Sequence, residues 1–183
     1  MPNWCDNTIT ISGPRDKIRT LMTLATTKKG LLNAMVPQPD NIFLDNLGQK
    51  ERELCESEGI PNWYDWNVAN WGTKWDVDVD GLEFNDLGDG TAEIAGYFES
   101  AWAPPVPAYF EFLKQNPDCD IAAYYYEPGM DFAGIFRDCD DNETSGLYQQ
   151  YEAGEKQWSD LFRELEEHYN LGEQFEQYEE EEL

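Results

Sequence analysis

The chain has 183 residues, 38 Asp plus Glu against 12 Lys plus Arg, a formal net charge of −26, and 14% aromatic residues. That length fits one domain able to bury about 70% of its unfolded surface, and the aromatic content argues against wholesale disorder. The charge argues against direct binding to nucleic acid or an anionic membrane and favours basic partners or metal ions.

Cys5 to Ser12 reads as a strand, with Thr8 to Ile11 alternating polar and apolar before Gly13-Pro14. Asp16 to Lys28 reads as a helix with Ile18, Leu21, Met22 and Ala25 on one stripe, and Gly30 as its C-cap. Residues 31–70 read as a long irregular loop broken by Pro37, Pro39 and Pro61, with a short polar helix possible within Leu44 to Glu58. Trp75 to Asp80 alternates Trp75, Val77 and Val79 with Asp76, Asp78 and Asp80, the period of a strand. Thr91 to Ser100 forms its antiparallel partner across the turn residues Asp86 to Gly90. Pro105 to Gln115 is a short helix with Val106, Tyr109, Phe110 and Leu113 on its apolar side, and Ile121 to Tyr126 a further strand. Phe132 to Arg137 and Leu147 to Tyr151 are expected to form a hairpin, and Trp158 to Tyr169 an amphipathic helix. The tail from Glu173 to Leu183 holds six Glu and no basic residue, so it is expected to be disordered.

The order of the first six elements is β-α-β-β-α-β, which implies an α+β, ferredoxin-like antiparallel sheet with its helices on one face. The expected organisation is a domain over residues 1–140, an extension over 141–172 with the hairpin strand and helix, and the tail over 173–183. Cys5, Cys55, Cys119 and Cys139 contain no C-x-x-C pair, so neither a zinc site nor a redox motif is indicated. The N-terminus lacks the pattern of a signal peptide, and no apolar run approaches membrane-spanning length. The expectation is a cytoplasmic protein with free thiols.

Several strings resemble the YubB-type ferredoxin-like domain family of conjugative plasmids and bacteriophages. They are Met1-Pro2-Asn3-Trp4-Cys5 with Asn7, Asn70-Trp71-Gly72-Thr73-Lys74-Trp75-Asp76, Ala101-Trp102-Ala103-Pro104-Pro105, and Tyr125-Tyr126-Glu127-Pro128-Gly129 with Phe132-Ala133-Gly134. The resemblance covers residues 1–140 and implies the ferredoxin-like fold and a mobile-element origin, in the cytoplasm of a bacterial host. It carries over no activity and no catalytic residue.

Trp71, Lys74, Trp75 and Trp102 are candidate ligand-binding residues. Aromatic faces with a lysine among them could stack on a base or form a cation–π pocket, but in so acidic a chain the favoured reading is that they anchor a loop on the sheet. Asp76-x-Asp78-x-Asp80-Gly81 matches the opening of a calcium loop, but the closing bidentate acid falls on Leu87. Asp138-x-Asp140-x-Asn142 is a weaker echo with Glu143 where glycine belongs, so no metal ligand is assigned. The single histidine, His168, follows Glu164 by four residues, a spacing usual for a solvated helix face. Pro2 as an N-terminal amine base is a weak alternative, and no phosphate-binding glycine loop occurs. No cofactor and no enzymatic activity are expected.

The charge carries the functional reading. A domain of this length spans about 40 Å, and that length of duplex DNA carries about 24 charges. Residues 141–183 alone hold −12, from 14 acidic and 2 basic residues. The expectation is a DNA-mimic-like, anti-restriction type of inhibitor that binds a basic, nucleic-acid-binding host protein. Its candidate contacts are Asp138, Asp140, Asp141, Glu143, Glu164, Glu166 and Glu167, with Asp76, Asp78 and Asp80. A small-ligand or calcium-binding module is the alternative.

Overall fold

The computed structural model describes residues 3–28 and 30–181. The elements are β1 (Trp4–Pro14), α1 (Arg15–Lys28), α2 (Leu31–Met35), α3 (Gln49–Glu58), α4 (Trp63–Asn70), β2 (Leu82–Asp86), β3 (Thr91–Ala101), α5 (Val106–Gln115), β4 (Asp120–Glu127), β5 (Phe132–Arg137), β6 (Asp140–Ser145), α6 (Leu147–Ala153), α7 (Asp160–Tyr169) and α8 (Leu171–Glu181). The strands form one six-stranded sheet in the order β2-β3-β1-β4-β5-β6. Every pairing in it is antiparallel. The fold is a mixed α+β one with helices flanking the sheet.

The strand period divides the sheet into two faces. Ile9 and Ile11 of β1, Ile94 and Phe98 of β3 and Ile121 of β4 join Ile18, Leu21, Tyr109 and Phe112 in the larger core, under α1, α2 and α5. Tyr126, Ala133 and Ile135 point the other way and meet Leu147, Phe162, Leu165 and Phe175 in a second core, under α6, α7 and α8. Helices therefore lie on both faces, and the second set covers β4 and β5 and reaches β1 through His168 and Tyr169, which meet Thr8 and the Asp6 carbonyl. On the β2–β3 side of that face Glu83, Tyr97 and Glu99 remain exposed.

Several expectations need correction. The strict six-element arrangement does not hold, because α2, α3 and α4 intervene before β2, and β5 and β6 extend the sheet. Trp75 to Asp80 is not a strand. β2 begins two residues later, at Leu82, where Leu82 pairs with Gly96 and Phe84 with Ile94. Residues 31–70 hold three helices; α4 is capped by Asn62, whose side chain accepts from the Asp65 N–H at 3.0 Å. Gly30 serves both helices: its N–H donates to the Ala25 carbonyl at the end of α1 at 2.9 Å, and it stands extended as the residue before α2. The partner of β5 is Asp140–Ser145, whereas Leu147–Tyr151 is helical and enters α6 through Gly146 at φ 67°. β6 joins the same sheet as β1 to β5, so the sheet runs across residue 140. The segment expected to lose structure at Glu173 continues as α8, with Leu171 and Phe175 buried. Residues 182–183 lie outside the described residues.

Docking of α8 is directly testable. Phe175→Ala removes a buried ring from the second core and is expected to cost about 3 kcal/mol, read from urea unfolding. A loss within a few tenths of a kcal/mol would mean that α8 does not pack there.

Candidate functional site

The strings that carry the resemblance meet at one end of the sheet. β1 begins there, while β3 and β4 end there. The Trp102 N–H donates to the Asn3 carbonyl at 2.9 Å. The Thr73 hydroxyl, buried, donates to the Ala101 carbonyl at 2.8 Å. Gly72 has φ 86°, and a Cβ there would lie 2.5 Å from Pro107 Cδ and 3.2 Å from the Pro104 carbonyl. At Gly129 a Cβ would lie 2.5 Å from Asn3 Nδ2. Glu127, 1% exposed, accepts from the N–H groups of Gly129 and Met130 at 2.9 and 2.6 Å and so closes the β4–β5 turn. Segments spread over more than a hundred positions thus hold one another in place.

On this frame sits an aromatic cluster. Lys74 Nζ lies 4.4 Å from the Trp75 ring centroid and 5.0 Å from that of Trp102, a cation between two π faces. Trp4 lies 6.1 Å from Trp75, and Tyr64 meets Trp102 edge-on at 6.3 Å. Trp4, Trp75 and Trp102 are 44%, 39% and 40% exposed. Trp102 has φ 74°, a region that side chains with a Cβ enter only at a cost. Of the four candidate ligand-binding residues, Lys74, Trp75 and Trp102 are together at the surface. Trp71 is not: it is 2% exposed and its indole N–H donates to the Val36 carbonyl at 2.9 Å.

Two clefts open beside the cluster and meet at Trp4 and Glu99. One, about 590 Å³, is lined by Asp6, Glu99 and Glu127; the other, about 360 Å³, by Asp76, Asp78, Asp80 and Glu99. Among the described residues lining them, none is basic. Asp6 and Glu99 are register partners on β1 and β3, a like-charge pair directly across two strands. Burial, and then the Glu99 charge, raise the Asp6 carboxyl above its ordinary range. Sequence reasoning missed Asp6 and Glu99, whose pairing is visible only once β1 and β3 are in register.

The ten candidate acids do not converge on one surface. Asp76 faces inward, where its carboxylate accepts from the N–H groups of Leu32, Asn33 and Val77 at 2.7, 3.0 and 2.8 Å. Asp78 folds the next turn, accepting from Val79 and Asp80, and Asp80 is exposed. The other seven lie on β6, the preceding turn and α7. Asp141 accepts from the Tyr125 hydroxyl at 2.8 Å, with Glu143 beside it. Glu164 accepts from Tyr124 at 2.7 Å and pairs with Arg137 at 2.5 Å. Glu166 accepts from the Gly172 N–H at 3.0 Å, and Asp140 from Asn142 Nδ2 at 3.0 Å. Asp138 and Glu167 are exposed.

His168 stacks on Tyr124 at 4.0 Å and 7°, with Nε2 3.2 Å from the Thr8 hydroxyl. Burial lowers its pKa. Cys5 points to the opposite face of β1 from Thr8, so the sheet separates that thiol from the imidazole. Among the described residues no group of three or more His, Cys, Asp or Glu is placed to hold a metal ion. No helix of the described residues is long and apolar enough to cross a membrane. Pro2 lies outside the described residues.

The acids give the fold a pH signature. Burial raises Asp6, Asp76, Asp141 and Glu143, and the three N–H groups on Asp76 offset this only in part. The folded chain holds these protons more tightly than the unfolded one. The stability they contribute is therefore full below the ordinary carboxylate value, about 4, and is lost as pH rises through the raised values. Carboxyls shifted the other way, such as Glu164 beside Arg137, are solvent-screened and weigh less. The unfolding free energy is expected to rise as pH falls from about 7 to about 5, measured by urea titration at constant ionic strength. A flat or falling profile would contradict it.

No family model matches the sequence, and no curated protein matches it. Among solved structures it is similar to the crystal structure of protein api92 from Yersinia pseudotuberculosis, of the family DUF1281, at 20% identity with a TM-score of 0.33. The match covers 48% of this chain and 31% of that one, so it spans about a third of the length of that structure.

Proposed function

We propose that the protein is an acidic accessory protein of a phage or plasmid that binds a basic, nucleic-acid-binding host protein in the bacterial cytoplasm and blocks it, acting by binding rather than by catalysis. The aromatic and acidic end of the sheet is the docking surface. The observation that carries this reading is the Asp6–Glu99 pair. Two carboxylates directly opposed across strands destabilise the sheet, and both face clefts that hold no basic side chain among their described lining. An arginine or lysine from a partner would relieve that repulsion. Three exposed tryptophans beside the clefts supply the rigid apolar area on which interfaces depend.

The mobile-element setting rests on the motif strings. The docking surface gives those strings a shared purpose, since together they build it. Strands β1 to β4, in the order β2-β3-β1-β4 with α1 and α5 in the crossovers, are proposed to be a ferredoxin-like core that later elements extend. DNA mimicry on this reading is local: Asp6, Asp78, Asp80 and Glu99 stand where a partner expects phosphates, while Asp141, Glu164 and Glu166 serve the fold.

The test uses a synthetic arginine-rich peptide together with lysate of a bacterial host, each at low and high salt. Binding is expected to fall steeply as salt screens the contact. Glu99→Lys should abolish it, and Glu143→Lys on the far edge strand should not. Binding of equal strength at both salt concentrations would contradict the proposal. A second signature separates function from packing. Asp6→Asn should raise stability by about 0.5 kcal/mol while weakening the complex. Trp102→Gly should stay folded, because glycine takes φ 74° without strain, and should lose the partner.

A further inference from the structure

Behind the aromatic cluster lies a separate cavity of about 380 Å³, within the range of small-molecule sites, about 300–1,000 Å³. Trp63, Trp75 and the buried Trp71 line it, with the largely exposed Leu44. Its polar lining is Asn33, Gln38, Asn67 and Asp76.

The hydrogen bonds fix the orientation of all three amides. Asn67 Nδ2 donates to the Lys74 carbonyl at 2.9 Å, so Asn67 Oδ1 is the atom that accepts from Gln38 Nε2 at 2.6 Å. That bond in turn leaves Gln38 Oε1 without a partner among the described residues. The Gln38 N–H donates to Asn33 Oδ1 at 2.9 Å, which leaves Asn33 Nδ2 equally unoccupied. Both oxygens of Asp76 already accept backbone N–H groups. Among the described residues the cavity lining therefore holds one acceptor and one donor without a hydrogen-bond partner, together with three indoles.

We infer that this cavity binds an uncharged planar heteroaromatic molecule with a neighbouring donor and acceptor on its edge, the chemistry of a nucleobase or nucleoside. The indoles supply stacking faces, and Gln38 Oε1 with Asn33 Nδ2 read the edge. The Asp76 charge at the wall and the net charge of −26 select against a phosphate on the ligand. A free nucleoside is accepted, and a nucleotide or a nucleic-acid strand is disfavoured. This inference does not depend on the docking surface proposed above.

The experiment titrates the full chain with adenosine, guanosine, cytidine and uridine and with their 5′-monophosphates, following the indole N–H resonances by NMR. At least one nucleoside is expected to shift the Trp63 and Trp75 signals saturably and to leave that of Trp158, in the second core, in place. Its monophosphate should bind at least about tenfold more weakly. Gln38→Ala and Trp63→Ala, each checked for an intact unfolding transition, should weaken binding by a similar factor. Trp102→Gly should bind the nucleoside as the parent does, which separates this cavity from the docking surface. Absence of saturable shifts for all four nucleosides, monophosphates binding as tightly, or a folded Gln38→Ala of unchanged affinity would each overturn the assignment.

Discussion

The carboxylate of Asp76 holds the aromatic end of the sheet together. It accepts three backbone N–H groups, two of them at the start of α2 and 44 and 43 residues away in sequence. The Leu31 N–H adds a bond to the Val77 carbonyl at 3.2 Å. A charge buried this far is tolerated because its lone pairs are filled. With Asp76 turned inward, Val77 follows into the core, and the chain between Trp71 and Gly81 cannot lie flat as a sheet edge. Trp75 is then directed outward and the Asp78 turn is set beside Trp4. Gly30 completes the arrangement: a Cβ there would overlap the Asp76 carboxylate, so only glycine leaves it room.

This explains why the alternation of Trp75 to Asp80 misled. Alternation in sequence is expected of a half-buried strand but does not require one, since a loop that buries Val77, turns Asp76 inward onto backbone N–H groups and leaves Asp78 and Asp80 outward is written with the same alternating residues. β6 failed in the opposite sense: Asp-Asp-Asn-Glu-Thr-Ser has almost no apolar residue to alternate, and it is a strand because β5 offers it an unpaired edge. The charges on it suit an edge that must not recruit another chain. α8 was hidden by its own glutamates, although Leu171 and Phe175 stand four apart on what proves to be a buried stripe. β1, α1, β3, α5 and β4 were legible because their apolar periodicity is backed by turn residues. In the candidate site, Lys74, Trp75 and Trp102 were legible as types, whereas Asp6 and Glu99 need the β1–β3 register to become a pair.

The distribution of charge corrects the simplest electrostatic picture. A net charge of −26 suggests a uniform polyanion, yet many of the acids that looked available are engaged. Asp76 caps, Asp141 receives a tyrosine hydroxyl, Glu164 holds Arg137 and Glu166 ties α7 to α8. What remains free is unequal in kind. Exposed acids such as Glu167 are solvated and cost the fold little. Asp6 is partly desolvated and stands opposite the exposed Glu99 across β1 and β3, a like-charge pairing that weakens the sheet unless a cation arrives.

The aromatic residues support the same separation of roles. A tryptophan that serves packing is buried with its N–H satisfied, as Trp71 is against Val36. Trp102 is the reverse case: it is exposed, its backbone sits in the left-handed region, and the Asn3 carbonyl and the Lys74 ammonium hold it there. Strain maintained at an exposed indole is not explained by burial, and such strain gathers where a surface must be shaped for something else. Trp75 belongs to both environments, with Lys74 and Trp4 on the exposed aromatic side and the cavity of Gln38 and Asn33 behind it. A ligand in that cavity would restrict the same ring that the proposed basic partner would meet, so occupancy of one proposed site would bias the other through a single side chain.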